Sequence, residues 1–311
     1  GALIALLSAI WIALALALEL RRRQAPVLPD LPDSAAPPPT TILLPVRDEE
    51  ANLAACAATL VAQSGAPALR IVDDGSTDRT TAILARIARD EPRVTALAAR
   101  PPAPGWGGKV NALATGFEGV STPWILLTDA DTGHQPDLLA RAHAAVAEHR
   151  LDALSLSGRQ LTVGLGESLL TPAAYALLDL MLGDWRPFAR GDAPTAIANG
   201  QYFLLKSSAL RAIGGFTAIS GDPLDDVALA GALRAGGFRV GFRRAGAALK
   251  VRMYEGFTAS CRGWRRNFAL FVAARPAVVL AAIALPTATL SAMWLALADG
   301  SPATFAAGWL A

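Results

Sequence analysis

Cysteine and histidine are scarce in this chain of 311 residues, with two of the first and three of the second. Cys56 and Cys261 offer neither a disulfide framework nor metal-ligand spacing, which fits a reducing cytoplasm. His134, His143 and His149 are too few and too scattered to suggest a histidine-based metal centre or a Ser-His-Asp triad. Charge is thin as well. Only 17% of residues are charged and the formal net charge is +2, so no basic surface points to nucleic acid. Glycine is missing where a dinucleotide-binding turn needs it: Pro45-Val46-Arg47-Asp48-Glu49-Glu50 follows the first apolar strand. With no Walker A sequence either, nicotinamide, flavin and P-loop chemistry are excluded.

What is abundant is apolar surface: 53% of residues are hydrophobic and the mean hydropathy is +0.37. The excess lies at the two ends. Residues 2–20 carry no charge before Glu19, and as a helix they would span roughly 28 Å, near the hydrocarbon thickness of a bilayer. A cleavable signal peptide is the rival reading. It would need a basic region before the apolar run, whereas Arg21-Arg22-Arg23 follow it. Those arginines place what comes next on the cytoplasmic side. Residues 276–298 form a second apolar run, kinked at Pro286 and preceded by Arg262, Arg265 and Arg266. A long buried core helix would read similarly. The expected organisation is a transmembrane helix over 1–24, a Pro/Ala-rich linker over 25–39 and a catalytic domain over 40–260. An interfacial segment over 261–275 and a C-terminal membrane region over 276–311 complete it. That last region is expected to continue in the natural protein.

Between the ends, short apolar runs alternate with helical spacing. Strands are expected over 41–46, 68–72, 93–98 and 124–128, and helices over 49–63, 80–89 and 109–117. The alternation predicts an α/β fold, a mostly parallel sheet covered by helices on both faces. Polar clusters then fall at strand ends, where such a sheet binds ligands. Arg47 and Glu49 follow the first strand, and Asp73-Asp74-Gly75-Ser76 the second. Gly107-Gly108-Lys109 opens a helix, offering backbone N–H groups, a positive dipole end and an ammonium to a phosphate. Ile125-Leu126-Leu127-Thr128-Asp129-Ala130-Asp131 buries as a strand and ends in two carboxylates on one face. Hard oxygen ligands at that spacing suit Mg²⁺ or Mn²⁺, the remaining coordination coming from phosphate and water. Each cluster alone has a plainer account as a turn, a helix cap or a surface lysine. Their joint order is harder to dismiss.

Taken together, these segments resemble the family 2 glycosyltransferases, from about Thr40 to Asn267. The resemblance implies the GT-A nucleotide-diphospho-sugar transferase fold and an inverting transfer. Pro45, Arg47 and Glu49 would lie beside the nucleoside, and Asp73 with Asp74 would recognise the base or ribose. Lys109 would approach the phosphates, Asp129 would hold ribose or metal, and Asp131 would bind the metal. Asp225-Asp226 stands where the family carries an acidic pair whose second member is the catalytic base, which maps onto Asp226. A helix-opening pair favoured by the dipole is the bland alternative. Asn199 and Gln201, in Ala-Asn-Gly-Gln-Tyr-Phe, are candidates for the sugar or acceptor.

Cys261-Arg262-Gly263-Trp264-Arg265-Arg266-Asn267 departs from the Gln-x-x-Arg-Trp of many membrane relatives, leaving Trp264 and Arg265 as weaker candidates for the diphosphate or as membrane anchors. That departure, with few spanning segments, argues against a processive polysaccharide synthase. The likeness is greatest to carotenoid, hopanoid-associated and ceramide-type members. It implies transfer of a hexose from a UDP-sugar to a lipid in a bacterial-type cytoplasmic membrane, with the catalytic domain facing the cytoplasm. Formation of a polyprenyl-phosphate sugar or extension of a glycan is the alternative, and a non-catalytic nucleotide-sugar-binding membrane protein is a further one.

Overall fold

Seven consecutive residues, Thr40–Val46, form strand β1, and all seven are buried. A strand covered on both faces has no polar side, so it reads as one apolar run rather than an alternation. Ile42, Leu44 and Val46 pack into one core with Leu53 and Leu60 of α1 (Leu53–Val61) and Leu84 of α2 (Thr80–Asp90). Leu43 enters a second core with Val110 and Leu113 of α3 (Gly108–Phe117). In this computed structural model residues 25–29, 36–182, 184–222 and 224–274 are described, with isolated positions between 9 and 20 and between 280 and 287.

The remaining strands are β2 (Ala68–Asp73), β3 (Val94–Ala98), β4 (Trp124–Leu127), β5 (Thr132–His134), β6 (Ala153–Gln160), β7 (Phe203–Lys206) and β8 (Val240–Val251). They form an eight-stranded sheet in the order β3-β2-β1-β4-β7-β6-β8-β5. β1 runs parallel to β2 and β4, and β2 parallel to β3. β7 is antiparallel to β4 and β6, and β5 antiparallel to β8. With β6 parallel to β8, the sheet is mixed, four of its seven pairings being parallel. Reversal of β7 matters most: Phe203 pairs with Leu127, so the residues entering β7 arrive at the edge where β1, β2 and β4 end.

Further helices are α4 (Leu138–His149), α5 (Leu165–Leu182), α6 (Arg186–Arg190), α7 (Ser207–Ala212), α8 (Asp225–Ala235) and α9 (Phe257–Ala274). The chain divides into two compact units. The first, Pro26–Leu161 with Arg186–Met253, holds the sheet. Part of the stretch expected as linker belongs to it: Val27 bridges Arg244 in parallel, and Leu28 is buried. The second unit is Gly1–Ala25, Thr162–Trp185 and Tyr254–Ala311. Within it Trp264 of α9 lies edge-on to Tyr175 of α5, with ring centroids 5.8 Å apart, and also contacts Tyr254 at 6.3 Å. Buried Glu167 accepts from the Val163 and Gly256 amides.

Of the runs expected to cross a membrane, 2–20 is described at eight positions and 276–298 at three, and the rest of both lies outside the described residues. At the described positions of the first run the backbone is helical, and Ile10, Ile12, Leu16 and Leu20 are exposed. Among the described residues, no helix is long and apolar enough to cross a membrane.

Candidate active site

The loops leaving β1 and β2 are laced together. Asp48, held at φ 54°, accepts from the Thr77 amide at 2.7 Å, and its own amide donates to Ser76 Oγ at 3.1 Å. The Glu49 amide donates to Thr80 Oγ1 at 2.7 Å and the Glu50 amide to Asp78 Oδ2 at 3.0 Å. This lacing sets the rim on which the nucleoside candidates stand. Pro45 is buried inside β1, opposite Val72. Arg47 is exposed and its Nη1 lies 3.6 Å from Asp74 Oδ2. Asp74 in turn meets the first turn of α3, where a Cβ on Gly108 would collide with its carboxylate. Asp73 points into its own loop. Its Oδ1 accepts from the Ser76 amide at 2.9 Å and hydroxyl at 2.6 Å, and its Oδ2 from Thr81 Oγ1 at 2.5 Å. Burial pushes its pKa up, but those bonds outweigh it and hold the carboxyl below the ordinary value.

At the centre, Lys109 Nζ lies 2.7 Å from Asp129 Oδ1 and 3.4 Å from Asp225 Oδ2. Burial alone would favour a neutral amine; Asp129, Asp225 and Asp226 reverse that and hold the lysine above its usual pKa. It stays an ammonium. The next residue of the pair turns the other way: Asp226 Oδ2 accepts from the Gly200 amide at 2.7 Å. Gly200 therefore sits among the charged groups. A Cβ on it would stand 3.0 Å from Lys109 Nζ, 3.3 Å from Asp129 Oδ2 and 3.7 Å from Asp226 Oδ2. One point thus reaches side chains from α3, the end of β4 and the start of α8, which lie up to 117 positions apart in the chain.

Asp131 is the least satisfied of the carboxylates. Its Oδ1 is buried without a hydrogen-bond partner among the described residues. Burial first, then repulsion from Asp129 and Glu49, pushes its pKa up to about 7, against the pull of Lys109. Glu49 is raised too, mainly by burial and by Asp129, although Asn52 donates to it at 2.8 Å. An acceptor-only atom stranded beside like charges fits a divalent cation, with Asp129 and Asp131 as its protein ligands. No group of three or more potential ligands occurs among the described residues, so such an ion would depend on diphosphate oxygens to complete its shell.

The turn before β7 is braced rather than open. The Asn199 amide donates to Ser155 Oγ at 2.8 Å, and Asn199 Oδ1 accepts from the Gln201 amide at 3.1 Å. Gln201 is buried, with its Oε1 accepting from Gln160 at 3.2 Å, so it supports the turn from below. Trp264 and Arg265 belong to the second unit, the first buried and the second exposed. Gly200 carries no signal in the sequence beyond its place between two polar residues. Buried Thr128, Thr132 and His134 underlie the carboxylate turn and stand in no pattern that marks them in the sequence.

Residues 41–169 match the model of Glycosyl transferase family 2. Among solved structures, the chain is similar to the mannosyltransferase PcManGT from Pyrobaculum calidifontis in complex with GDP-Man and Mn2+. The TM-score is 0.60 at 22% identity, over 98% of this chain and 89% of that one. That likeness shows a shared GT-A-like fold. TarS from S. aureus gives a TM-score of 0.48 at 15% identity, over 69% of this chain and 60% of that one. Glucosyl-3-phosphoglycerate synthase from Mycobacterium tuberculosis, in complex with phosphoglyceric acid, gives 0.47 at 16%, over 80% and 87%. No curated protein matches the chain.

Proposed function

We propose that the chain, whose residues 41–169 match the model of Glycosyl transferase family 2, is a glycosyltransferase that moves a hexose from a nucleoside-diphosphate sugar to a membrane lipid, with inversion. The observation that carries this reading is the convergence of Lys109, Asp129 and Asp226 on the side-chain-free face of Gly200. Asp226 takes the proton of the acceptor hydroxyl as that oxygen forms a bond to the anomeric carbon. The bond from that carbon to the diphosphate breaks, and the diphosphate leaves with the electron pair. Lys109 neutralises the departing charge, and its two carboxylate partners aim the ammonium. A divalent ion held by Asp129 and Asp131 would supply further charge to the diphosphate. Both GDP-mannose, bound with Mn2+ by the Pyrobaculum enzyme, and the UDP-sugar suggested by the sequence are donors to be tried.

Asp226 suits the role of base. Burial, then Asp225, raise its pKa above 3.8, while Lys109 and the Val227 and Gly200 amides restrain the rise. A carboxylate so placed is a stronger base than an exposed one. The lipid acceptor and a cytoplasmic-face membrane location are supported by the two apolar runs and by the exposure of Ile10, Ile12, Leu16 and Leu20. The test is to incubate the full chain in detergent with radiolabelled UDP- and GDP-hexoses, Mn²⁺ or Mg²⁺, and extracted bacterial lipids. Label should enter a lipid that resists mild acid. Label in a mild-acid-labile phosphate-linked lipid would instead mark a polyprenyl-phosphate sugar synthase, and no lipid label at all would remove the acceptor class.

A further inference from the structure

Beneath the Asp129–Asp131 turn lies a buried polar network that no step above uses. Thr128 Oγ1 donates to the Gln201 carbonyl at 2.8 Å, and Thr132 Oγ1 donates to the Asp129 carbonyl at 2.7 Å. The two hydroxyl oxygens lie 3.2 Å apart, and His134 Nε2 meets both, 2.8 Å from Thr132 Oγ1 and 3.3 Å from Thr128 Oγ1. All three side chains are buried.

Counting hydrogens decides the tautomer. Each hydroxyl has one hydrogen, and both point at carbonyls: that of Gln201, and that of Asp129, which Cys56 Sγ also reaches at the longer distance of 3.6 Å. The Thr oxygens can then only accept from the ring, so Nε2 must carry a hydrogen. The opposite assignment would leave an Nδ1–H buried without an acceptor, because Nδ1 has no partner among the described residues. A stranded buried N–H is rarer and costlier than a stranded acceptor. Burial also keeps the imidazole neutral, its pKa pushed down to about 3.

We infer that His134 is a positioning residue: from Nε2 it ties Thr128 to Thr132, closing the turn on both sides so that Asp129 and Asp131 face the metal diphosphate together. Thr128 couples the turn to Gln201, which neighbours Gly200, so the same clamp ties the metal carboxylates to the amide that orients Asp226. The inference rests on the proposed role of Asp129 and Asp131 as metal ligands. It resembles the outer contacts that orient ligating side chains in known metal sites.

The test uses the full chain and Mn²⁺, with GDP and with UDP. In a two-bond ¹H–¹⁵N correlation spectrum, His134 should show a protonated Nε2 and a bare Nδ1; a proton on Nδ1 would overturn the inference whatever the metal does. By electron paramagnetic resonance of free Mn²⁺, His134→Leu should weaken Mn²⁺ binding by about 10- to 100-fold, the range for outer contacts of metal ligands. His134→Gln, whose amide can donate from the Nε2 position, should restore most of it. A folded His134→Leu chain with wild-type Mn²⁺ affinity, or a Gln variant as impaired as the Leu variant, would mark a purely structural contact and sink the proposal. If the wild-type chain bound Mn²⁺ with neither nucleotide, the metal role of the turn would fall first and this inference with it, a failure distinct from the other two.

Discussion

Asp225 and Asp226 are neighbours in sequence but have different partners. Asp225 faces the Lys109 ammonium, and Asp226 accepts the Gly200 amide. Asp226→Asn keeps that shape and removes the base, so kcat should fall by about 10²- to 10⁴-fold, with donor affinity by calorimetry unchanged. Gly200→Ala would put a methyl 3.0 Å from Lys109 Nζ, in the space assigned to the reacting sugar. We expect a loss of at least about tenfold in kcat/KM, roughly 1.4 kcal/mol of transition-state binding. The thermal midpoint should hardly move. The raised pKa of Asp226 means that kcat falls on the acid side at a pH above its ordinary 3.8. Asp131 gives a stability signature of opposite sense to a salt-bridged acid. Its folded pKa of about 7 exceeds the ordinary 3.8, so the native state holds the proton more tightly. Without metal, stability should be highest at the acid end of that window and decline as pH rises towards 7. The decline should vanish in Asp131→Asn, as seen by thermal melts across pH.

At the level of elements, the site depends on how closely α3 lies on the sheet. Gly116 permits that approach: a Cβ there would meet Val72 Cγ2 at 2.9 Å and Leu43 Cδ2 at 3.5 Å. Gly116→Val should cost about 1–3 kcal/mol in a urea titration by overpacking. It should also weaken nucleotide binding, because the first turn of the same helix carries Lys109. The strands and helices of the first half were legible within a few residues, β1 and α3 being apolar runs and helical spacings bounded by turn residues. β5, only Thr132–His134, was not, since three residues carry no period and the strand exists through pairing with β8. Reversal of β7 left no local trace either. It is set by partners on both sides, β4 and β6.

For the whole molecule, the membrane proposal makes the simplest prediction. The full chain should sediment with membranes and need detergent for release; recovery in a high-speed supernatant without detergent would remove the anchor. Trp264 and Arg265 belong to the unit made of Gly1–Ala25, Thr162–Trp185 and Tyr254–Ala311. Trp264→Ala should therefore lower the stability of its own unit, where the indole fills the space between Tyr175 and Tyr254, and a melt monitored by tryptophan fluorescence would report it. An unchanged melt would show that this packing contributes little.

From residue order alone came the fold class and most of the charged side chains at the strand ends, because burial periodicity and turn chemistry are local; the sugar-nucleotide reading is what the family resemblance of those segments implies. Tertiary structure alone decided which of those charges meet. Asp73 spends both oxygens on its own loop, whereas Lys109, Asp129 and Asp226 converge on Gly200. It also decided which uncharged groups matter, the bare Cα of Gly200 and the His134 clamp. Those depend on distances between segments distant in the chain, and no local pattern of side chains encodes them.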